Sequence, residues 1–213
     1  METRQPLSTA DMGARERLLE STVNLFAEKG YAATPVREIV ENAGVTKPVL
    51  YYYFKNKEGL FHAVLDWAAE LQEEVLSEAL NTPGTALDRI LAMTQQIYLG
   101  VIEYRNLFRM IHSLVFGPPQ AAPDYDFGRY HRRMMDVISG LYREGIEKGE
   151  VRGANPKEAA LLVLGIIDFC LNLDRVYEQK LDPERPQRLI RLAFEGLGNR
   201  HVPSMETAIP RQS

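Results

Sequence analysis

Apolar residues recur at the helical period along nearly the whole chain, and no stretch of useful length alternates as a half-buried strand would. That regularity predicts an all-α fold. Between Met12 and Lys29, the side chains of Leu18, Leu19, Val23, Leu25 and Phe26 form one stripe, with Arg15, Arg17, Glu20 and Glu28 elsewhere. Gly30 stops that helix. Thr34 and Pro35 offer a cap and a first-turn proline for a short helix to Asn42, which Ala43 and Gly44 end. Thr46 caps a third helix running through Tyr53 or Phe54, and Asn56 caps a long fourth, from Lys57 to about Leu80. Five more follow: Thr85 to Tyr104, a short one ending before Gly117, Asp126 to Lys148, Pro156 to Gln179, and a last one to Leu197, which makes about nine in all.

Bulk charge says little about partners. The formal net charge is -4, so any electropositive surface must be local. Residues 1 to 60 hold eight basic and eight acidic side chains, and the acidic excess lies beyond them. A nucleic-acid contact therefore belongs to the first sixty residues. The single cysteine, Cys170, sits in an apolar helical run and reads as a small buried side chain. Low cysteine usage, the absence of a signal-peptide pattern and the lack of 18 consecutive apolar residues predict a soluble, cytoplasmic protein with no membrane partner. No phosphate-cradling glycine loop, nucleophile elbow or plausible Ser-His-Asp spacing is present, so an enzyme is not expected. His112 and His131 are too far apart in sequence to suggest a metal site, and no cofactor is expected.

The informative stretch runs from Thr34 to Lys57. Two short helices around a glycine-containing turn make a helix-turn-helix, a motif any bundle can contain. The faces of the second helix sharpen it. At about 100° per residue, Leu50, Tyr53 and Phe54 share a packing side, whereas Lys47, Pro48, Tyr51 and Tyr52 share the other. Lysine, proline and two tyrosines make little sense as core and fit a groove-facing surface. From Thr46 to Lys57 there are three lysines (Lys47, Lys55, Lys57) and no acidic residue. Ammonium groups neutralise phosphates, and tyrosine hydroxyls donate to phosphate oxygens. The candidate DNA-facing set is Thr34, Arg37, Thr46, Lys47, Pro48, Val49, Tyr51, Tyr52, Lys55 and Lys57.

These residues carry a resemblance. Leu25 to Tyr31 (LFAEKGY), Ile39 through Ala43-Gly44-Val45, and Leu50 to Leu60 (LYYYFKNKEGL) together resemble the DNA-binding domain of the TetR family, over about residues 12 to 62. The resemblance implies a homodimer that reads palindromic double-stranded DNA, usually as a repressor released by a small molecule. It implies that Arg37 reaches a base or phosphate, that Lys47, Val49 and Tyr52 meet base edges or thymine methyls, and that Thr46, Tyr51 and Lys57 hold the backbone. Lys47 could read a guanine or touch phosphate; the residue types leave both open. The organisation expected is a DNA-binding domain at 1–57, a linking fourth helix, a ligand-binding and dimerisation domain at 81–199, and a loose tail at 200–213.

Beyond residue 81 the resemblance is one of layout. The helix from Pro156 is apolar on every side, which predicts a buried helix that also serves an interface. With the last helix it suggests a two-fold four-helix contact through Ala159, Leu162, Val163, Ile166, Phe169, Leu189, Leu192, Ala193 and Leu197, closing the monomer core being the alternative. Aromatic and methionine side chains between Thr85 and Lys148 suit a roomy, largely apolar effector cavity or an ordinary core. Candidates are Met93, Tyr98, Phe108, His112, Phe116, Tyr130 and Met134. Asp168 is a ligand anchor, an ion-pair member or a boundary residue. Arg129, Arg132 and Arg133 read as a solvated face.

Overall fold

The computed structural model describes residues 13–117, 121–152, 155–176 and 182–196. Through them run nine helices: α1 (Ala14–Lys29), α2 (Val36–Asn42), α3 (Lys47–Phe54), α4 (Lys57–Asn81), α5 (Ala86–Glu103), α6 (Arg105–Phe116), α7 (Gly128–Glu147), α8 (Pro156–Val176) and α9 (Glu184–Glu195). No strand occurs among the described residues. The expected all-α architecture stands.

Local chemistry sets most boundaries. Asn56 caps α4 as expected, its side chain accepting from the Gly59 amide at 2.6 Å. A side chain on Gly59 would put its Cβ 2.1 Å from the Phe54 carbonyl oxygen, so only glycine lets α4 start this close to the end of α3. Thr85 and Asp88 form a reciprocal capping box at the start of α5. The α2–α3 turn passes through Gly44 at φ +62°, a conformation most residues resist. Two expected caps differ. Thr34 is fully buried and donates its hydroxyl to the Gly30 carbonyl at 2.8 Å, closing the α1–α2 turn instead of capping α2. Thr46 stands at the N-cap position of α3, but its side chain makes no capping bond.

Two apolar cores divide the molecule. The first gathers Leu18, Val23, Leu25 and Phe26 of α1, Ile39 and Val40 of α2, Leu50 and Phe54 of α3, and Leu60, Phe61, Val64 and Leu65 of α4. Its centre is aromatic: Tyr31 lies edge-on to both Phe26 and Phe61, each at 5.3 Å between ring centres. The second joins the far half of α4 (Leu76, Ala79) to α5, α7, α8 and α9. Helix α4, 25 residues long, belongs to both.

The division does not follow the expected boundary at residue 81. Leu107 and Met110 of α6 lie in the first core, and Ala122, Tyr125 and Phe127 of the following loop pack on it. Asn106 also donates to the Asn24 side chain of α1 at 2.7 Å. Helix α6 and the loop after it are thus a wedge of the C-terminal part set against the helix-turn-helix.

Candidate nucleic-acid interface and its coupling to the C-terminal helices

Helices α2 and α3 are held as a unit by main-chain acceptors. Arg17 donates to the Ala43 carbonyl at 3.1 Å and Ser21 to the Ile39 carbonyl at 3.0 Å, which fixes α2 on α1. Leu50 and Phe54 then seat α3, leaving its other side free. On that side Thr46, Lys47, Pro48, Tyr51 and Tyr52 are exposed, Tyr52 to 81%. Lys47 and Lys55 make no ion pair among the described residues. The uncapping hydroxyl of Thr46 and the tyrosine hydroxyls therefore share one acid-free surface with two uncompensated ammonium groups. Such a surface matches a polyanion.

Four expected residues sit differently. Thr34 cannot reach a phosphate, because its side chain is buried under the turn. Val49 is only half-exposed and packs against the first core. Lys57 donates to the Tyr31 carbonyl at 2.5 Å and lies 4.1 Å over the Tyr31 ring, and burial lowers its pKa. Its ammonium is a staple between α4 and the α1–α2 turn. Arg37 is exposed but paired with Glu41 at 2.6 Å. Tyr53 departs the other way. The helical spacing predicts the packing side for it, yet it is 44% exposed, its ring edge-on to Tyr52 at 5.0 Å.

The fourth helix is gripped from the C-terminal side by a polar ladder. The Tyr130 hydroxyl donates to the Leu65 carbonyl of α4 at 2.6 Å. That uses its only proton, so the Tyr125 hydroxyl, also at 2.6 Å, is the donor in their contact. Burial first, then the bond with Tyr125, holds the Tyr130 phenol well above the usual range. Arg129 donates to the Tyr125 hydroxyl at 3.1 Å and lies 3.6 Å from Asp66. Further along α4, Gln72 donates to the Tyr130 carbonyl at 3.1 Å and Arg133 pairs with Glu73. At the end of α4, Arg89 donates to the carbonyls of Ala79 and Leu80 and to Glu144 of α7. Arg129, Arg132 and Arg133 each have an acidic partner, which agrees with a solvated, paired face. Tyr130→Phe removes one hydroxyl while Leu65 keeps its helical hydrogen bond. We expect a loss of about 1 kcal/mol in denaturant unfolding.

The candidate effector residues do not share one environment. Met93 and Tyr98 are fully buried in the second core, and Met134 packs against it. Tyr130 belongs to the ladder on α4. Phe108 is half-buried, and Phe116 is exposed at the end of α6. His112 and Asp168 meet through Asn172. The Asn172 amide donates to the Asp168 carbonyl at 2.9 Å, so its oxygen accepts from His112 Nε2 at 3.0 Å, which fixes the His112 tautomer. The Asp168 carboxylate is half-buried, 3.8 Å from His131; burial raises its pKa, and the two imidazoles oppose that.

The interface candidates split by side. Ala159 and Val163 are buried in the monomer, so they close its core. Leu162, Phe169, Leu189 and Leu192 are exposed, and Ile166 and Ala193 are half-exposed. Leu197 lies outside the described residues. Helix α8 is thus not buried all round: one face is bare, and Leu161, 60% exposed, belongs to it beyond the residues expected from the sequence. The i, i+4 spacing of Leu161, Gly165 and Phe169 carried that signal.

Comparison with known proteins agrees with this geometry. Residues 18–64 match the model for bacterial regulatory proteins of the tetR family. That segment is similar to the DNA-binding domain of the tetR family. The chain is 23% identical over 167 residues to the fatty acid metabolism regulator protein of Bacillus subtilis, covering 78% of this chain and 86% of that protein. It is 27% identical over 147 residues to the HTH-type transcriptional repressor KstR2 of Mycolicibacterium smegmatis, covering 65% and 67%. The transcriptional regulator FadR of Bacillus subtilis, solved with stearoyl-CoA, shares the fold of this chain with a TM-score of 0.69 at 20% identity, over 86% of this chain and 99% of that one. These relatives are transcriptional regulators. Among the described residues, no helix is long and apolar enough to cross a membrane and no three His, Cys, Asp or Glu side chains converge as a metal site.

Proposed function

We propose that this transcriptional regulator binds a palindromic operator as a homodimer, represses from it, and is released by a largely apolar small molecule. The observation that carries the reading is the face of α3: an exposed, acid-free surface of Thr46, Lys47, Pro48, Tyr51 and Tyr52 on a helix anchored by Leu50 and Phe54. Of the expected contacts, Lys47, Tyr51 and Tyr52 keep their roles in the proposal, Thr46 gains an uncommitted hydroxyl, and Thr34 and Lys57 act structurally. A homodimer is supported by the bare apolar face of Leu161, Leu162, Phe169, Leu189 and Leu192, since isolated monomers rarely expose a contiguous patch of that kind. Repression and an effector rest on the relatives, one named a repressor and one solved with stearoyl-CoA.

The mechanism follows from α4. Two recognition helices engage successive major grooves only at a fixed separation, about one helical turn of DNA. Helix α4 carries the first core, and the Tyr130, Gln72 and Arg133 ladder ties it to α7. An effector that prefers another setting of α7 shifts the population by its differential affinity for the two states. Anisotropy titrations of a selected duplex test the face directly. Lys47→Ala should either lower the salt slope by about 0.9, as for one lost phosphate contact, or relax preference at one base pair by about 1–3 kcal/mol, as for a lost guanine contact. Binding indifferent to both Lys47→Ala and Tyr51→Phe would sink the reading.

A further inference from the structure

The two apolar cores leave a seam between them, where the end of α6 meets α8. On α6, Phe108, His112 and Phe116 follow one another at i, i+4 spacing and so share a side of the helix. Phe108 and Phe116 belong to neither core, and Phe116 is 66% exposed, its ring 4.8 Å from the His112 ring. His112 faces α8, because its Nε2 donates to the Asn172 side chain there at 3.0 Å. The aromatic side of α6 therefore borders the stretch of α8 that carries Asp168, one turn before Asn172.

Asp168 is poorly satisfied. Its carboxylate accepts no hydrogen bond among the described residues, and no lysine or arginine pairs with it there. His131 Nε2 of α7 stands off at 3.8 Å, beyond hydrogen-bond reach. Burial disfavours the anion more than the two imidazoles, His131 and His112, favour it. A half-buried carboxylate in that state lacks a positive charge. Aromatic rings beside it offer faces that attract cations. Together they specify an organic ammonium, whereas a carboxylate ligand would be repelled. The position of His131 gives such a site a lever. His131 faces α8, while its neighbour Tyr130, in the same first turn of α7, donates to the Leu65 carbonyl of α4. A ligand that resets Asp168 against His131 thus acts on the turn that grips the linking helix.

We propose that the α6–α8 seam is the head-group site of the effector, taking an organic ammonium on Asp168 with its apolar body along Phe116 and Phe108. It rests on the reading that a small molecule releases the dimer from DNA, and it gives that molecule a charge.

Decylammonium and decanoate, used with the full chain below their micelle-forming concentrations, present closely similar tails under opposite charges. Calorimetry reads their binding, and anisotropy with the selected duplex reads release. Decylammonium should bind and lower duplex affinity; decanoate should do neither. Asp168→Asn keeps the shape and removes the charge, so decylammonium affinity should fall roughly 10–100-fold, with duplex affinity unchanged in its absence. Phe116→Ala should weaken decylammonium about 2–5-fold, as for an exposed cation–π contact. Tyr130→Phe should keep decylammonium binding and blunt its effect on the duplex. Release by decanoate that Asp168→Asn leaves intact, or no response to either amphiphile, would overturn the proposal and leave the DNA-reading face standing. Asp168→Asn that dissociates the dimer in sedimentation, with decylammonium affinity unchanged, would assign Asp168 to the contact between copies and overturn it as well. Wild type that selects no duplex, yet binds decylammonium through Asp168, would keep the site and remove the DNA reading.

Discussion

Phe169→Glu should leave the monomer folded and abolish tight operator binding. The ring is 62% exposed on α8 and lies outside the second core, so the substitution costs the isolated chain about 0.5 kcal/mol or less. Across a two-fold contact each copy presents the same face, so one substitution places two carboxylates in an apolar interface. Burying an ionised carboxylate without a partner costs several kcal/mol, which a dimer built on Leu161, Leu162, Leu189 and Leu192 cannot recover. Sedimentation should show a monomer with an unchanged helical spectrum. Operator affinity should fall by roughly 10²–10⁴-fold, the gain that linking two half-site contacts ordinarily gives. A variant that still sediments as a dimer would move the interface away from α8.

Phe61→Ala should have the largest effect on stability. Its ring is fully buried against Phe26 and Tyr31, and with Leu60, Val64 and Leu65 it packs the linking helix on α1. Truncating a buried phenylalanine costs about 3–5 kcal/mol, part of it for the cavity left behind. That is a large fraction of a domain's total stability. Because the second core draws on Leu76 and Ala79 of α4 and on α5, α7, α8 and α9, the loss should be uneven. Hydrogen exchange should open α1 to α3 first while α8 stays protected. Uniform loss of protection would mean that the two cores unfold as one.

The helices were legible because their ends are written in local chemistry. Asn56 at the start of α4 and the Thr85–Asp88 box at the start of α5 are short-range signals, and the apolar period fixes which face is inward. The α3 surface was legible for the same reason. What stayed hidden is long-range. The apolar stripe of α6 says that one face is buried but not against what, and only the fold sets Leu107 and Met110 into the first core. Bonds to main-chain carbonyls have no sequence pattern either, so the commitments of Thr34 to Gly30 and Lys57 to Tyr31 were invisible. Tyr53 sits at the edge of the packing face of an eight-residue helix, where angular position cannot decide burial. In α8 an unbroken run of apolar residues hid the difference between Val163, turned inward, and Leu162, turned out.

The central claim is that the α3 face reads a two-fold symmetric DNA site, and selection from a randomised duplex library tests it most directly. The account predicts an enriched palindrome, bound by a dimer with a steep salt dependence and weakened by Lys47→Ala and Tyr51→Phe. Absence of any enriched sequence, with only weak binding that neither substitution changes, would contradict it.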